Sequence, residues 1–379
     1  METKALHNAQ ADRFRAFCRT LDADAYADAC RAALQVNPDD IDARLGLAQA
    51  VGHGGDWDAK LEMLHQMVAE FPGADRPNVT LGIELMSRGR YREGWKYYNH
   101  RKRRDAKSLI RRGMPPEREW RGEPLPGKTI LIHREQGLGD TLHFVRNAIA
   151  LQRIGALPVL DVQGPMRQLL RQSPALGRVL HADDKATPHY WIRMMDLVPA
   201  LTPTLQDVTW PGAYVAAPAD GWLYRPISKS DGLRVGLAWG GNPEFPMNAL
   251  RSVPLQALTP LADTPGCTFY SLMPDTVADD VRQQTRWMTD LSPVSTPFDR
   301  LAAVIGQMDV VVTICTSIAH LAAAMGKPTF LMLSFVAEWR WTRRGETTPW
   351  YPSMRLFRQR RLGDWDPVVH DVMRALAAL

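Results

Sequence analysis

The chain has 379 residues, 45% of them hydrophobic and 23% charged, with a formal net charge of +5. That length buries ample core and predicts two or three domains rather than one. The longest apolar run, near Thr329 to Ala337, is too short to cross a bilayer, and the N-terminal METKALHNAQADRFRAFCR lacks an apolar stretch of signal-peptide length, so a cytoplasmic protein without a transmembrane segment is expected. Four scattered cysteines with no CxxC and no histidines at ligand spacing indicate neither a disulfide framework nor a zinc site.

The first hundred residues read as helices punctuated at a fixed period. Pro38 and Pro72, Gly55 and Gly89, and Trp57 and Tyr91 are each 34 residues apart, which is the tetratricopeptide period. An earlier helix pair around Asp22 to Asn37 makes about three units, near the minimum for a solenoid core. Two readings follow: a helical cap over the rest, or a concave surface that holds a peptide or protein partner. An array of this kind is expected to be separable, so that deletion of residues 1–100 leaves the remainder folded.

Arg101 to Arg112 carries seven basic residues and one Asp, a local +6 that leaves the rest near −1. The charge is therefore a strip rather than a face, and nucleic acid is not expected as a partner; a solvated spacer or a docking strip for an acidic partner fits it. A Pro-rich linker runs to Gly127, and strands then alternate with helices. Thr129 to His133 reads as a strand, Gly137-Leu138-Gly139-Asp140 as a turn, Asp140 to Ile154 as a helix and Leu157 to Val162 as the next strand. A second series starts at Leu233 and continues at Thr268, Asp309 to Ile314 and Thr329 to Leu333. Two βα series imply two doubly wound domains with a ligand cleft at the C-terminal ends of their strands.

Within the second series, DVVVTICTSIAHLAAAMGKP gives a β-branched strand, a Thr316/Ser317 pair suited to cap a helix, and a short helix closed by Gly326 and Pro328. The unsatisfied amides at such a helix start form an anion site. Two DxD strings, Asp22-Ala23-Asp24 and Asp364-Trp365-Asp366, follow no core strand, so a metal-bridged site is not expected. The run EWRWTRRGETTPWYPSMRLFRQRR interleaves aromatics with arginines; nucleobase stacking and core packing both account for it.

RGEPLPGKTILIHREQGLGDTLHFVR, GLAWGGNP with the later NALRSVPL, DVVVTICTSIAHLAAAMGKP and EWRW with GDWDPVV resemble bacterial proteins that join tetratricopeptide repeats to a heptosyltransferase-like domain of glycosyltransferase family 9. The resemblance runs from about Gly89 onward and implies a GT-B fold: repeats over 1–104, a basic and Pro-rich linker over 105–127, and two α/β domains over 128–230 and 231–379. It also implies an inverting, metal-independent transferase with no cofactor, its nucleotide-sugar being a substrate.

By that resemblance Asp140 is the general base toward the acceptor hydroxyl; without it, Asp140 is a helix-start carboxylate that complements the dipole. Gly137 and Gly139 shape the turn at the donor. The backbone amides of Thr316, Ser317 and Ile318, with His320 on the same helical face, would meet the donor diphosphate, and Asn248 and Arg251 would stand beside it. A packing role is the other reading of His320. Cys315 stands where the family has an Asp that binds donor sugar hydroxyls, and a thiol accepts poorly. A different donor sugar, a dispensable contact, lost catalysis or plain packing would each explain it. Arg193 replaces a His-containing stretch on the acceptor side. The expected function is sugar transfer from a nucleotide-sugar to an acceptor, a protein being one candidate, held by the repeats; the competing class is a binding scaffold with a degenerate transferase half.

Overall fold

In the computed structural model, residues 2–104, 114–181, 184, 187–218, 232–274, 285–291 and 297–379 are described. Most of the basic strip, residues 105–112, lies outside them. Six helices open the chain: α1 (Glu2–Thr20), α2 (Ala23–Val36), α3 (Ile41–His53), α4 (Trp57–Glu70), α5 (Asp75–Ser87) and α6 (Tyr91–Tyr98). The starts of α2, α4 and α6 are spaced by 34 residues, as are those of α3 and α5. Asp22, Asp40 and Asp56 cap α2, α3 and α4 through side-chain bonds to early amides, and Gly55 and Gly89 sit at φ 102° and 80° in the turns that follow α3 and α5, a conformation that favours glycine.

Two parallel sheets follow. The first has strands β1 (Thr129–His133), β2 (Leu157–Asp161), β3 (Arg178–Val179) and β4 (Tyr190–Arg193) in the order β3-β2-β1-β4. The second has β5 (Leu233–Ala238), β6 (Cys267–Ser271), β7 (Thr289–Asp290), β8 (Val310–Ile314), β9 (Thr329–Leu333) and β10 (Met354–Arg358) in the order β10-β9-β8-β5-β6-β7. Among the helices that cover them are α7 (Leu138–Phe144), α8 (Asn147–Arg153), α9 (Asn248–Arg251), α10 (Phe298–Gly306), α11 (Ser317–Ala324) and α12 (Asp366–Leu376). A helical region followed by two parallel α/β units is consistent with a GT-B-like arrangement. In each sheet the strand order reverses next to its first strand, which creates a crevice beyond the carboxyl ends of β1 and β4 and another beyond β5 and β8.

The helix expected over residues 140–154 is two helices, because Arg146 Nε bonds the His143 carbonyl at 2.7 Å and its guanidinium turns inward to the Trp350 carbonyl. β4 and β10 do not stand out in the sequence: β4 ends on an arginine and β10 carries two among apolar residues, yet both are largely buried.

The helical region shares its core with the α/β half. Met86, Tyr91, Trp95 and Tyr98 belong to the same buried core as both sheets. Tyr91 and Trp95 meet Trp339 edge-on at 5.6 and 5.7 Å, Trp57 packs on Phe335 at 5.3 Å, and Leu250 is buried with Phe17, Tyr26 and Cys30. The face bearing Trp57, Tyr91 and Trp95 is thus turned to the α/β half. Arg101, first of the basic strip, is buried against Asp196 at 2.6 Å and Glu135 at 3.3 Å, a clamp rather than a solvated spacer. Glu84 has 1% of its side chain exposed; burial pushes its pKa up, but Lys60 and Arg343 outweigh that and hold it at about 2.

Trp95→Ala should lower stability by about 3–5 kcal/mol, as for other buried tryptophans, measured by urea unfolding. A fragment starting at Arg101 should show no cooperative transition; a cooperative one would mean that the two halves fold separately.

Candidate active site

The residues singled out from the sequence lie on different sheets and come together at the carboxyl ends of the strands. Asp140 stands in the first turn of α7, just after β1, and its Oδ2 accepts the Gly137 amide at 2.9 Å, the carboxylate half of a capping box. Its Oδ1 accepts from the guanidinium of Arg340, 200 residues later. That guanidinium also bonds Glu338, whose Oε2 accepts the Arg340 amide at 3.1 Å. Arg340 has only 6% of its side chain exposed, while Asp140 and Glu338 retain 19% and 33%, so one buried cation holds two carboxylates that edge onto solvent.

From the second unit, Thr316 occupies the N-cap position of α11 at the end of β8 but makes no side-chain cap bond. Its Oγ1 is buried without a hydrogen-bond partner among the described residues, so the expected cap does not form. Arg251, at the end of α9, donates to the Cys315 carbonyl at 2.7 Å and bonds Asn248 Oδ1 at 3.3 Å. A Cβ at Gly241 would lie 2.5 Å from Arg251 Nη2 and 2.6 Å from Asn248 Oδ1. The glycine pair after β5 is therefore what lets Arg251 reach the strand end.

Cys315 does not present an open thiol. Trp341 Nε1 donates to its Sγ at 3.0 Å, and burial lifts its pKa to about 11. Where a carboxylate was expected to meet sugar hydroxyls, an indole covers a neutral sulfur. Trp339, Trp341, Trp350 and Tyr351 are all buried, so core packing accounts for the aromatics of that run. Arg193 is buried on β4 and paired with Glu119 at 3.1 Å.

α7 and α11 meet start to start. A Cβ at Gly139 would fall 2.9 Å from His320 Cδ2 and 3.5 Å from the Ser317 Cα, so only glycine permits this approach. His320 lies in the seam between the units: its Nδ1 bonds Tyr351 Oη at 3.0 Å and its ring stacks on Trp341 at 5.4 Å. The same hydroxyl bonds His143 Nδ1 at 3.1 Å and lies 3.4 Å from Tyr214 Oη. Arg146 lies under these groups, its guanidinium 4.3 Å from the Tyr351 ring centre. Ile318 is buried beside them. Cavities of about 750 and 580 Å³ lie elsewhere.

From the sequence, Arg340 and Tyr351 stand out only as members of a run of interleaved aromatics and arginines, and Glu338, His143 and Arg146 do not stand out at all; no spacing rule pairs Arg340 with Asp140. Among the described residues, no three His, Cys, Asp or Glu side chains gather as a metal site would require.

No family model matches the chain. It is 27% identical over 326 residues to Protein FlbA of Caulobacter vibrioides, a match that covers 77% of this chain and 53% of that one. The chain thus spans about half the length of this curated relative. Among solved structures it is similar to the glycosyl transferase family 9 protein from Veillonella parvula, with TM-score 0.49, 11% identity, and 62% and 87% of the two chains covered. It is also similar to the E. coli ADP-heptose LPS heptosyltransferase II, with TM-score 0.44, 15% identity, and 66% and 98% covered.

The seam makes a pH prediction. Burial, helped by nearby guanidinium groups, holds the imidazoles of His143 and His320 well below their usual range. Both stay neutral in the folded chain while the unfolded chain protonates near pH 6.5, so each contributes stability above that pH and loses about 1.4 kcal/mol per unit as pH falls below it. Glu338, pushed up to about 7 by burial, acts oppositely, its contribution fading as pH rises from about 4.5 to 7. His320→Asn should therefore flatten the acid limb of urea-derived stability between pH 6.5 and 5.5 by one such increment. Parallel limbs would place a charged imidazole in the seam.

Proposed function

We propose that the chain is a metal-independent, inverting glycosyltransferase of the GT-B type, and that its tetratricopeptide-like helices recruit the acceptor. The observation that carries this reading is the approach of the α7 start, which bears Asp140, to the start of α11, with Arg251 on the Cys315 carbonyl just before α11, at the crevices where strand order reverses. The stretches that resemble family 9 motifs include these same positions.

In this reading the nucleotide-sugar diphosphate lies on the amides of Thr316, Ser317 and Ile318, with Arg251 beside it. The buried, unpartnered Thr316 Oγ1 offers one more hydrogen bond. Asp140, released from Arg340, takes the proton of the acceptor hydroxyl as its oxygen forms a bond to the anomeric carbon. The bond to the diphosphate breaks, and its electron pair leaves with the nucleoside diphosphate. Charge grows on that leaving oxygen, which the cation and the α11 amides stabilise in the transition state. Because α7 and α11 touch at Gly139, the units part to admit the donor. His320 then acts from the seam, orienting α11 through Tyr351.

A scaffold with a spent donor pocket is the second reading, favoured by the indole that covers Cys315. Calorimetry of ADP, GDP and UDP with a chelator present tests the pair. We expect one diphosphate to bind without metal and Arg251→Ala to weaken it at least about tenfold, the scale of a hydrogen bond to a charged group. Binding that disappears with the metal would reject the helix-start site.

If a donor binds, Asp140→Asn should cut turnover by about 10²–10⁴ with donor affinity little changed. Turnover at the wild-type level would return Asp140 to a purely structural role. Cys315→Asp restores the carboxylate: a gain in donor affinity of about 1–2 kcal/mol would favour the spent pocket, and a loss of turnover would favour an enzyme adapted to another sugar.

A further inference from the structure

A cavity of about 580 Å³ lies where the helical region meets the second α/β unit, within the range that holds ligands. One wall carries Trp57 and Arg88 from the helices, and the other Phe335, Arg343, Arg344 and Arg358 from the loops around β9 and β10. Asp58 also lines it, and behind the wall Glu84 pairs with Arg88, Arg343 and Lys60. Four arginines thus line the cavity with one carboxylate, and the single buried carboxylate behind them is shared with a lysine.

The excess is not relieved among the described residues. Arg358 is spent on the carbonyls of Trp341, Thr342 and Gly345, and no carboxylate pairs with it among the described residues. Arg344 is exposed and likewise without an ion pair there. Gln359, 4% exposed and lining the cavity, has a buried Nε2 with no hydrogen-bond partner among the described residues, as does Arg343 at Nε. Thr342 between these arginines adopts φ 55°, ψ −177°, a conformation nearly confined to glycine that persists where surroundings force it and that clusters at ligand clamps. It turns Arg343 back onto the Trp57 ring, 3.6 Å from its centre.

We propose that this cavity binds an acidic peptide segment bearing an aromatic or apolar side chain, which makes it the acceptor-recruiting site of the chain. A peptide suits it better than a compact anion because the guanidinium groups are held apart: Arg88 and Arg343 share Glu84 but are drawn to Asp58 and to the Trp57 ring respectively, while Arg358 is held by loop carbonyls. They are spread between two aromatic rings rather than aimed at one point. The same loop continues directly into Trp341 and Arg340 of the candidate active site. This assignment rests on the reading of the helices as a recruiting arm, but peptide binding needs no nucleotide-sugar.

The test is fluorescence anisotropy of the full chain with a labelled peptide of alternating glutamate and tyrosine, at low and moderate salt. We expect binding that weakens with salt, a tenfold or greater loss for Arg344→Glu, and tighter binding for Asp58→Asn, whose carboxylate is 91% exposed and removable without unfolding. Arg374→Glu, on α12, should change nothing. No binding at low salt, or equal affinities for the Arg344 and Asp58 variants, would overturn the assignment. Displacement by inorganic pyrophosphate at equal charge would make it a small-anion site instead. Calorimetry with nucleoside diphosphates on the same samples separates this outcome from failure of the transferase reading, since either ligand can bind without the other.

Discussion

The buried guanidinium of Arg340 is the contact on which the arrangement turns. It joins Asp140 of the first unit to Glu338 of the second while lying 4.8 Å from the Phe144 ring centre and 4.5 Å from that of Trp339. A charge so enclosed is tolerable only with its partners in place, and removal of one carboxylate would leave the other interaction to bear the desolvation. The pair of carboxylates therefore fixes how the two units stand to each other. It also keeps Asp140 occupied until something displaces Arg340.

The rest of the seam is polar and aromatic rather than oily. Arg146, 5% exposed, is held by the Trp350 carbonyl, by Tyr214 and by the faces of Trp210, Tyr214, Trp350 and Tyr351. Directional bonds of this sort define one docking geometry where greasy surfaces would accept several.

Much of the fold was legible because it is written in local periodicity. The 34-residue spacing of Trp57 with Tyr91 reappears as equally spaced helix starts, and the β-branched run before Cys315 became β8 with α11 behind it. What was not legible depends on tertiary approach. Thr316 looked like a cap, yet its hydroxyl bonds nothing among the described residues. Cys315 was read against an open cleft, and only the fold brings Trp341 over it. Docking of the helices through Trp95 onto Trp339 was equally hidden, since a buried tryptophan inside a repeat and one at a junction look alike in sequence.

Trp339, Arg340 and Trp341 form a single 3₁₀ turn. With three residues per turn, successive side chains leave the axis about 120° apart, and here each reaches a different body: Trp339 the helices, Arg340 the first sheet's Asp140, Trp341 the second unit's Cys315. A substitution in this turn disturbs one of those attachments. An inserted or deleted residue would rotate every later side chain by a third of a revolution and misdirect them together. Drift in the length of this segment is thus far more tightly constrained than drift in its letters, and the helical arm cannot be exchanged for another by simple recombination unless the turn travels with it.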